Sequence, residues 1–347
     1  MAIKISFKPR DITKKLLKAL PERSADVLVR RYGLGKSVKR ETLESVGRSY
    51  TITRERVRQI ETGALDAVRK GDAYLDNKAV FTELTGVMYD LGSVVSEDVL
   101  LEELSSSESL QNHIHFLLII GNSFKYLREN TGYVHRWHAD EQLSDRVHDA
   151  IERVHKSIAR NELLAEREVI NRLLSELGDD IDESYKQDTV AKRWLSLSKR
   201  LAKNQLGDWG RAGSPGVNMR GIRDMAWLVL RRHGSPMHYG EVAEAIAETF
   251  NRNAHSATCH NELIKDKRFV LVGRGLYALA EWGYTTGLVK DVIIDVLRKA
   301  GPLSKQDLID TVKRERYVKT NTIMVNLQDA DTFGIDADGK YFLQEFA

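Results

Sequence analysis

Arg54, Glu55, Arg58 and Gln59 are four extendable polar side chains at helical spacing. On a helix they would line the first two turns on neighbouring faces. The chemistry open to them is hydrogen bonding to base edges: arginine to guanine, glutamine to adenine, and glutamate accepting from cytosine. Arg58 and Gln59 suit base readout. Arg48, Arg54 and Arg56 suit phosphates, which position a reader without specifying sequence. Thr53 has the chemistry of an N-cap, because its hydroxyl can accept from an orphan backbone N–H. Glu55 then complements the helix dipole. The competing reading is a solvated amphipathic helix.

No comparable case exists for catalysis. The sequence contains no P-loop, G-x-S-x-G or H-E-x-x-H pattern, and Gly273-Arg274-Gly275 reads as a hairpin turn. The expectation is a non-enzyme with no cofactor. His255-x-x-x-Cys259-His260 and the scattered His113, His115, His135 and His138 lack the closed four-ligand set of a structural zinc site, so no metal is expected.

A reading helix must be held by its neighbours. Val57, Ile60, Ala64, Leu65 and Val68 recur at helical spacing and predict a buried stripe over residues 53–70. A preceding helix over 42–48 would bury Leu43 and Val46. Ser49 to Ile52 would form the turn, with Tyr50 and Ile52 pinning the pair. A helix over 21–32 ends at Gly33 and Gly35, and a basic lead-in becomes helical from about Asp11. This is a helix-turn-helix pattern.

Charge is distributed unevenly along the 347 residues, although the net charge is only +3. Residues 1–71 carry 18 Lys/Arg against 8 Asp/Glu, and residues 72–142 carry 4 against 12. The first stretch should attract phosphate, and the second should repel it. A second basic concentration runs from Val190 to Arg223, with Lys192, Arg193, Lys199, Arg200, Lys203 and Arg211 as possible further DNA contacts. One cysteine excludes a disulfide framework. No apolar run approaches the roughly 20 residues of a membrane span, and no signal peptide is evident. The expected location is the cytoplasm, associated with the nucleoid.

After Gly71 a pattern recurs every 60–80 residues or so: three helices, then a Gly- and aromatic-rich strand pair. That order predicts winged helices. The fold class expected is mainly α, a tandem array of helix-turn-helix and winged-helix modules. Their boundaries are 1–74, 75–142 (acidic), 143–219 (basic third helix over 188–203, wing from Gly207 to Val217), 220–284 and 285–347.

Two stretches resemble known families. LPERSADVLVRRYGLG at 20–35, TLESVGRSY at 42–50 and TRERVRQIETGAL at 53–65 resemble region four of bacterial primary sigma factors. The resemblance implies a helix reading the upstream promoter hexamer, with Arg54, Glu55, Arg58 and Gln59 as base contacts. It also implies docking on the flap of the RNA polymerase β subunit. About 20 residues precede the match, so promoter-melting regions are not expected. MAWLVLRRHGSPMHYGEVAEAIAE and SATCHNELIKDKRFVLVGRGLYALAEWGY resemble HARE-HTH winged helices, whose members include the N-terminal domain of the polymerase delta subunit. The expectation is a sequence-specific transcription protein that binds double-stranded promoter DNA, with RNA polymerase (the β flap or another subunit) as partner. The alternatives are a polymerase- or protein-binding scaffold without base readout, or the DNA-recognition subunit of a defence or modification system. The target sequence, the oligomeric state and the sign of regulation are not encoded legibly.

Overall fold

The computed structural model describes residues 3–284 and 289–344. It divides into two compact units, Met1–Gly213 and Ser214–Ala347. It is mainly helical, with small antiparallel sheets.

The first unit begins with α1 (Pro9–Lys18), α2 (Glu22–Tyr32), α3 (Leu43–Tyr50), α4 (Arg54–Lys70) and α5 (Asp72–Asp76). Pro9 opens α1 at a position where its missing N–H costs nothing. Gly33 closes α2 in the left-handed region at φ 64, the usual solution for a helix C-terminus.

Next come α6 (Lys78–Asp90), β1 (Val94–Ser96), α7 (Glu97–Leu104), α8 (Glu108–Ile120), β2 (Lys125–Leu127) and β3 (Arg136–His138). The sheet order is β1-β3-β2. Then follow α9 (Glu141–Ser157), α10 (Glu166–Leu177), a 3-10 turn (Glu183–Lys186), α11 (Asp188–Leu195), β4 (Leu201–Lys203) and β5 (Trp209–Arg211).

The second unit holds α12 (Ile222–His233), β6 (Met237–His238), α13 (Tyr239–Phe250), α14 (Ser256–Lys265), β7 (Phe269–Leu271) and β8 (Leu276–Leu279). After these come α15 (Val289–Ala300), α16 (Lys305–Glu315), α17 (Thr320–Asn326), β9 (Phe333–Ile335) and β10 (Tyr341–Leu343). The start expected for α15, near residue 286, lies outside the described residues.

From α6 onward the same topology occurs four times: helix, short strand, two helices, hairpin. The short strand is β1 in the first copy and β6 in the third. In the second and fourth it shrinks to single bridges, Leu164 to Trp209 and Leu303 to Tyr341. The sequence pattern did not show this extra strand. A strand of one to three residues is too short for an alternation to register.

The basic third helix expected over 188–203 is shorter than that. It ends at Leu195, and Leu201–Lys203 is strand. Backbone pairing explains the break. The Val134 N–H donates to Leu197 O (3.0 Å), and the Lys199 N–H donates to Gly132 O (2.8 Å). Residues 196–200 therefore lie against the preceding hairpin, and tertiary pairing overrides helical preference. The wing expected over Gly207 to Val217 is likewise the tighter β4–β5 hairpin, turning at Gly207 with φ 93.

Two cores fill most of the first unit. Leu16, Leu28, Ala64 and Val68 share one with Leu84, Leu100, Phe116, Leu117 and Trp137. The helix-turn-helix and the acidic segment are thus built around common side chains. Val94 of β1 joins Val147, Leu173 and Trp194 in the other, and Trp194 Nε1 donates to Gly92 O at 3.0 Å.

A candidate nucleic-acid interface on the fourth helix

Val27, Val46 and Val57 are fully buried and form a small separate core, flanked by Leu43, Tyr50, Ile52 and Ile60. It clamps the N-terminal half of α4 to α2 and α3. The C-terminal half turns Ala64 and Val68 into the larger shared core. One face of α4 is therefore buried along its length.

The α3–α4 turn needs a close approach. A Cβ on Gly47 would sit 2.8 Å from Ile52 O and 3.6 Å from Val57 Cγ2. Only glycine fits there without displacing backbone. Thr51 closes α3 in the left-handed region at φ 55. Thr53 caps α4, its hydroxyl accepting from the Arg56 N–H at 3.2 Å. Thr42 caps α3 in the same way, accepting from Ser45 N–H at 3.1 Å.

Arg48, Thr53, Arg54, Glu55, Arg56, Arg58 and Gln59 are all exposed. The side chains of Arg54, Glu55 and Arg58 keep 70%, 57% and 59% of their accessible area, so none lies beneath a neighbouring segment. They pair loosely among themselves. Arg58 donates to both carboxylate oxygens of Glu55, Nε at 2.9 Å and Nη2 at 2.6 Å. Arg56 donates to Gln59 Oε1 at 3.0 Å, and Arg54 lies 3.1 Å from Glu44. The hydrogen bonds from Arg58 hold the Glu55 carboxyl below its ordinary pKa. Exposed pairs of this kind are worth little and exchange readily for other partners.

Behind this face is a network that the sequence reading missed. Arg30 grips Glu41 with two hydrogen bonds, Nε at 2.7 Å and Nη2 at 2.8 Å, and these hold the Glu41 carboxyl down to about 2. The Tyr50 hydroxyl donates to Asp26 at 2.6 Å, and the Arg23 guanidinium lies over its ring. The segment joining α2 to α3 is held by Asn112 of α8, which is buried. Its Nδ2 donates to Val38 O (2.7 Å) and Gly33 O (3.2 Å), and its Oδ1 accepts from Arg40 Nε (2.8 Å). Arg69, at the far end of α4, donates to the α8 carbonyls of Ile119 and Ile120. Asn112 sits in the polar run Gln111-Asn112-His113 and carries no local signal, because its partners lie more than 70 residues away.

The second basic concentration is differently placed. Lys192 and Lys203 each reach Glu166 at 2.6 Å. Arg193 lies 3.5 Å from Glu103, and Arg200 lies 2.9 Å from Glu152. Lys199 pairs with Glu129. Arg211 donates to Ile158 O at 2.7 Å. A phosphate bound at the lysines or at Arg193 and Arg200 would have to displace a carboxylate.

Among the described residues no group of three or more His, Cys, Asp or Glu side chains is arranged to hold a metal ion. Cys259 is buried and His260 stacks on Tyr239. No described helix is long and apolar enough to cross a membrane.

Comparison with known proteins bears directly on this surface. Residues 16–70 match the family model described as sigma-70, region 4. The first module resembles sigma region 4 helix-turn-helix domains. Over 59 residues it is 46% identical to the RNA polymerase sigma factor RpoD of Neisseria gonorrhoeae, an alignment covering 17% of this chain and 9% of that protein. Over 60 residues it is 45% identical to the RNA polymerase sigma factor SigA of a Nostoc species, covering 17% of this chain and 15% of the relative. The chain thus spans only a small part of these relatives. Residues 221–282 match a second family, HARE-HTH, whose description includes the restriction endonuclease HTH domain. Both matched regions are helix-turn-helix types of the DNA-binding class.

Proposed function

We propose that the chain binds double-stranded DNA through α4 and reads bases there, acting at promoters together with RNA polymerase. Arg58 and Gln59 specify bases, with Arg54 and Glu55 beside them. Arg48 and Arg56 hold phosphates, and Thr53 fixes the helix start. The observation that carries this reading is the open N-terminal half of α4. Its polar set is uncovered while the opposite face is locked into two cores. Resemblance to sigma factors supports the promoter and the polymerase as partners. The winged helices that follow would supply protein contacts or further DNA contacts.

The test is selection from a randomised duplex library, followed by affinity measurement at several salt concentrations. A defined motif should emerge. Arg58→Ala should weaken the best site about tenfold to a hundredfold and relax one base position. Equal loss on every sequence would make Arg58 a phosphate contact.

A second reading has one observation in its favour. Arg54, Arg56 and Arg58 are already engaged within the protein, as expected of a scaffold that never meets bases. Salt separates the two readings, because a DNA reader loses affinity steeply as salt rises.

A further inference from the structure

Exposure alternates along the lead-in to α1. Ile3, Ile5 and Phe7 turn inward, while Lys4, Ser6 and Lys8 face out. The strip is pinned on the acidic segment. The Ile3 N–H donates to Glu103 O at 2.6 Å, and the Ser6 N–H donates to Glu83 at 2.5 Å. Between this strip, the end of α7 and the start of α8 lies a groove of about 640 Å³. Ile5, Phe7, Leu104 and Leu110 give it an apolar floor, and Lys8 and Arg10 stand on its wall. Asp11 is the one acidic side chain lining it.

The cations of the lining have few partners. Lys14 and Arg10 both lie close enough to His113, buried on the same face of α8 as Leu110, to lower its pKa, after the larger effect of burial. Among the described residues none of Lys4, Lys8, Arg10 or Lys14 forms an ion pair, and Arg10 only donates to Ser109 Oγ at 3.0 Å. The groove also opens beside Ser107 at the first turn of α8, where Glu108 already complements the helix dipole.

These cations are poorly placed for the DNA proposed above. α1 packs on α8 and on α5, which follows the C-terminus of α4. The reading turns lie at the other end of that helix, about 20 Å away along its axis. Phosphate needs no apolar floor either. We infer that this groove is a docking site for a short peptide segment of a partner protein, one that combines an aliphatic or aromatic anchor with Asp or Glu. The anchor fills the space between Phe7 and Leu110. The carboxylates meet Lys8 and Arg10. The volume is in the range of small-ligand pockets and holds two or three side chains. The surface is separate from α4, so the reading helix and the peptide can be engaged together.

The test pans a displayed random-peptide library against the full chain. Enriched peptides are then synthesised and titrated by fluorescence anisotropy. They should pair Leu, Ile or Phe with Asp or Glu. Lys8→Glu/Arg10→Glu should weaken them about tenfold or more, and Leu110→Gln should weaken them through the floor. Arg58→Ala should leave them unchanged, so this result stands or falls separately from base reading. Both charge-reversed positions are exposed, and a circular dichroism melt checks that the fold survives. The proposal is overturned if no peptide is enriched, if the enriched peptides lack acids, or if the charge-reversed protein binds them equally. It is also overturned if that variant loses DNA affinity as severely as Arg58→Ala, because the groove would then belong to the DNA surface.

Discussion

Asn112→Ala is the sharpest probe of how the helix-turn-helix is held. The side chain is 4% exposed and makes three hydrogen bonds to the α2–α3 connection. Alanine strands the carbonyls of Gly33 and Val38 and frees the Arg40 Nε. A net hydrogen bond in such a setting is worth about 1 kcal/mol, and more when one partner is charged. Arg40 keeps 38% of its side-chain area and recovers water, so its share is discounted. The expected loss is about 2–3 kcal/mol. Urea denaturation followed by tryptophan fluorescence, to which the buried Trp137 contributes, measures it. Hydrogen exchange should show faster amides over residues 33–42, with the α12–α14 region unchanged. Asn112→Asp discriminates further: it keeps an acceptor for Arg40 but turns a carboxylate oxygen toward two carbonyls. It should be at least as damaging as alanine. A loss below about 0.5 kcal/mol for alanine, within the usual range of inert surface changes, or recovery by aspartate, would refute the assignment of the linker carbonyls as the anchored groups.

Other perturbations follow from the same geometry. Gly47→Ala should destabilise the helix-turn-helix by about 1–3 kcal/mol and lower DNA affinity with it, read by thermal melting and DNA titration; an unchanged melt would mean that the turn has slack. Lys192→Ala/Lys203→Ala should leave DNA affinity within about twofold, because the proposed base contacts lie on α4 and not on this patch; a steep loss would restore that patch as a DNA contact. Acid should weaken the first unit in two steps. Burial, then the charge of Arg136, lowers His148 from 6.5 to about 4, so its neutral form favours folding and stability falls as pH drops from 6.5 toward 4. His148→Gln keeps an acceptor for Arg136 Nε, now at 2.6 Å, and should flatten that step in pH-dependent urea midpoints. Glu97 loses by burial but gains more from His115, Tyr126 and Arg40, and sits at about 2, so its contribution disappears from about 4.5 downward.

Much of the candidate surface was legible because it is local. Thr53 as a cap, Val57 and Ala64 on the buried stripe, and the exposure of Arg58 all follow from spacing within one helix. The fourfold topology was legible only in outline, since helices carry periodicity and one-residue bridges do not. Long-range partners were hidden. Nothing in the neighbourhood of Lys192 or Arg200 announces that Glu166 and Glu152 will neutralise them, so a basic run looked freer than it is. The shortened α11 was invisible for a related reason, because its end is set by backbone groups at Gly132 and Val134. His115 shows the same limit: its Nδ1 lies 2.7 Å from Glu97 Oε1, although outside good hydrogen-bond geometry.

α8 occupies the third-helix position of its segment, the place from which related folds present side chains to a duplex. Here it is sunk among α1, α2 and α4, with Ile114, Phe116, Leu117 and Ile120 wholly inside. That copy of the repeat has become mortar. Cutting the chain after residue 74 would therefore not liberate a tidy miniature reader but a fragment with its oily flank bare, prone to clumping. The smallest piece that keeps both shared cores whole should run to about residue 213.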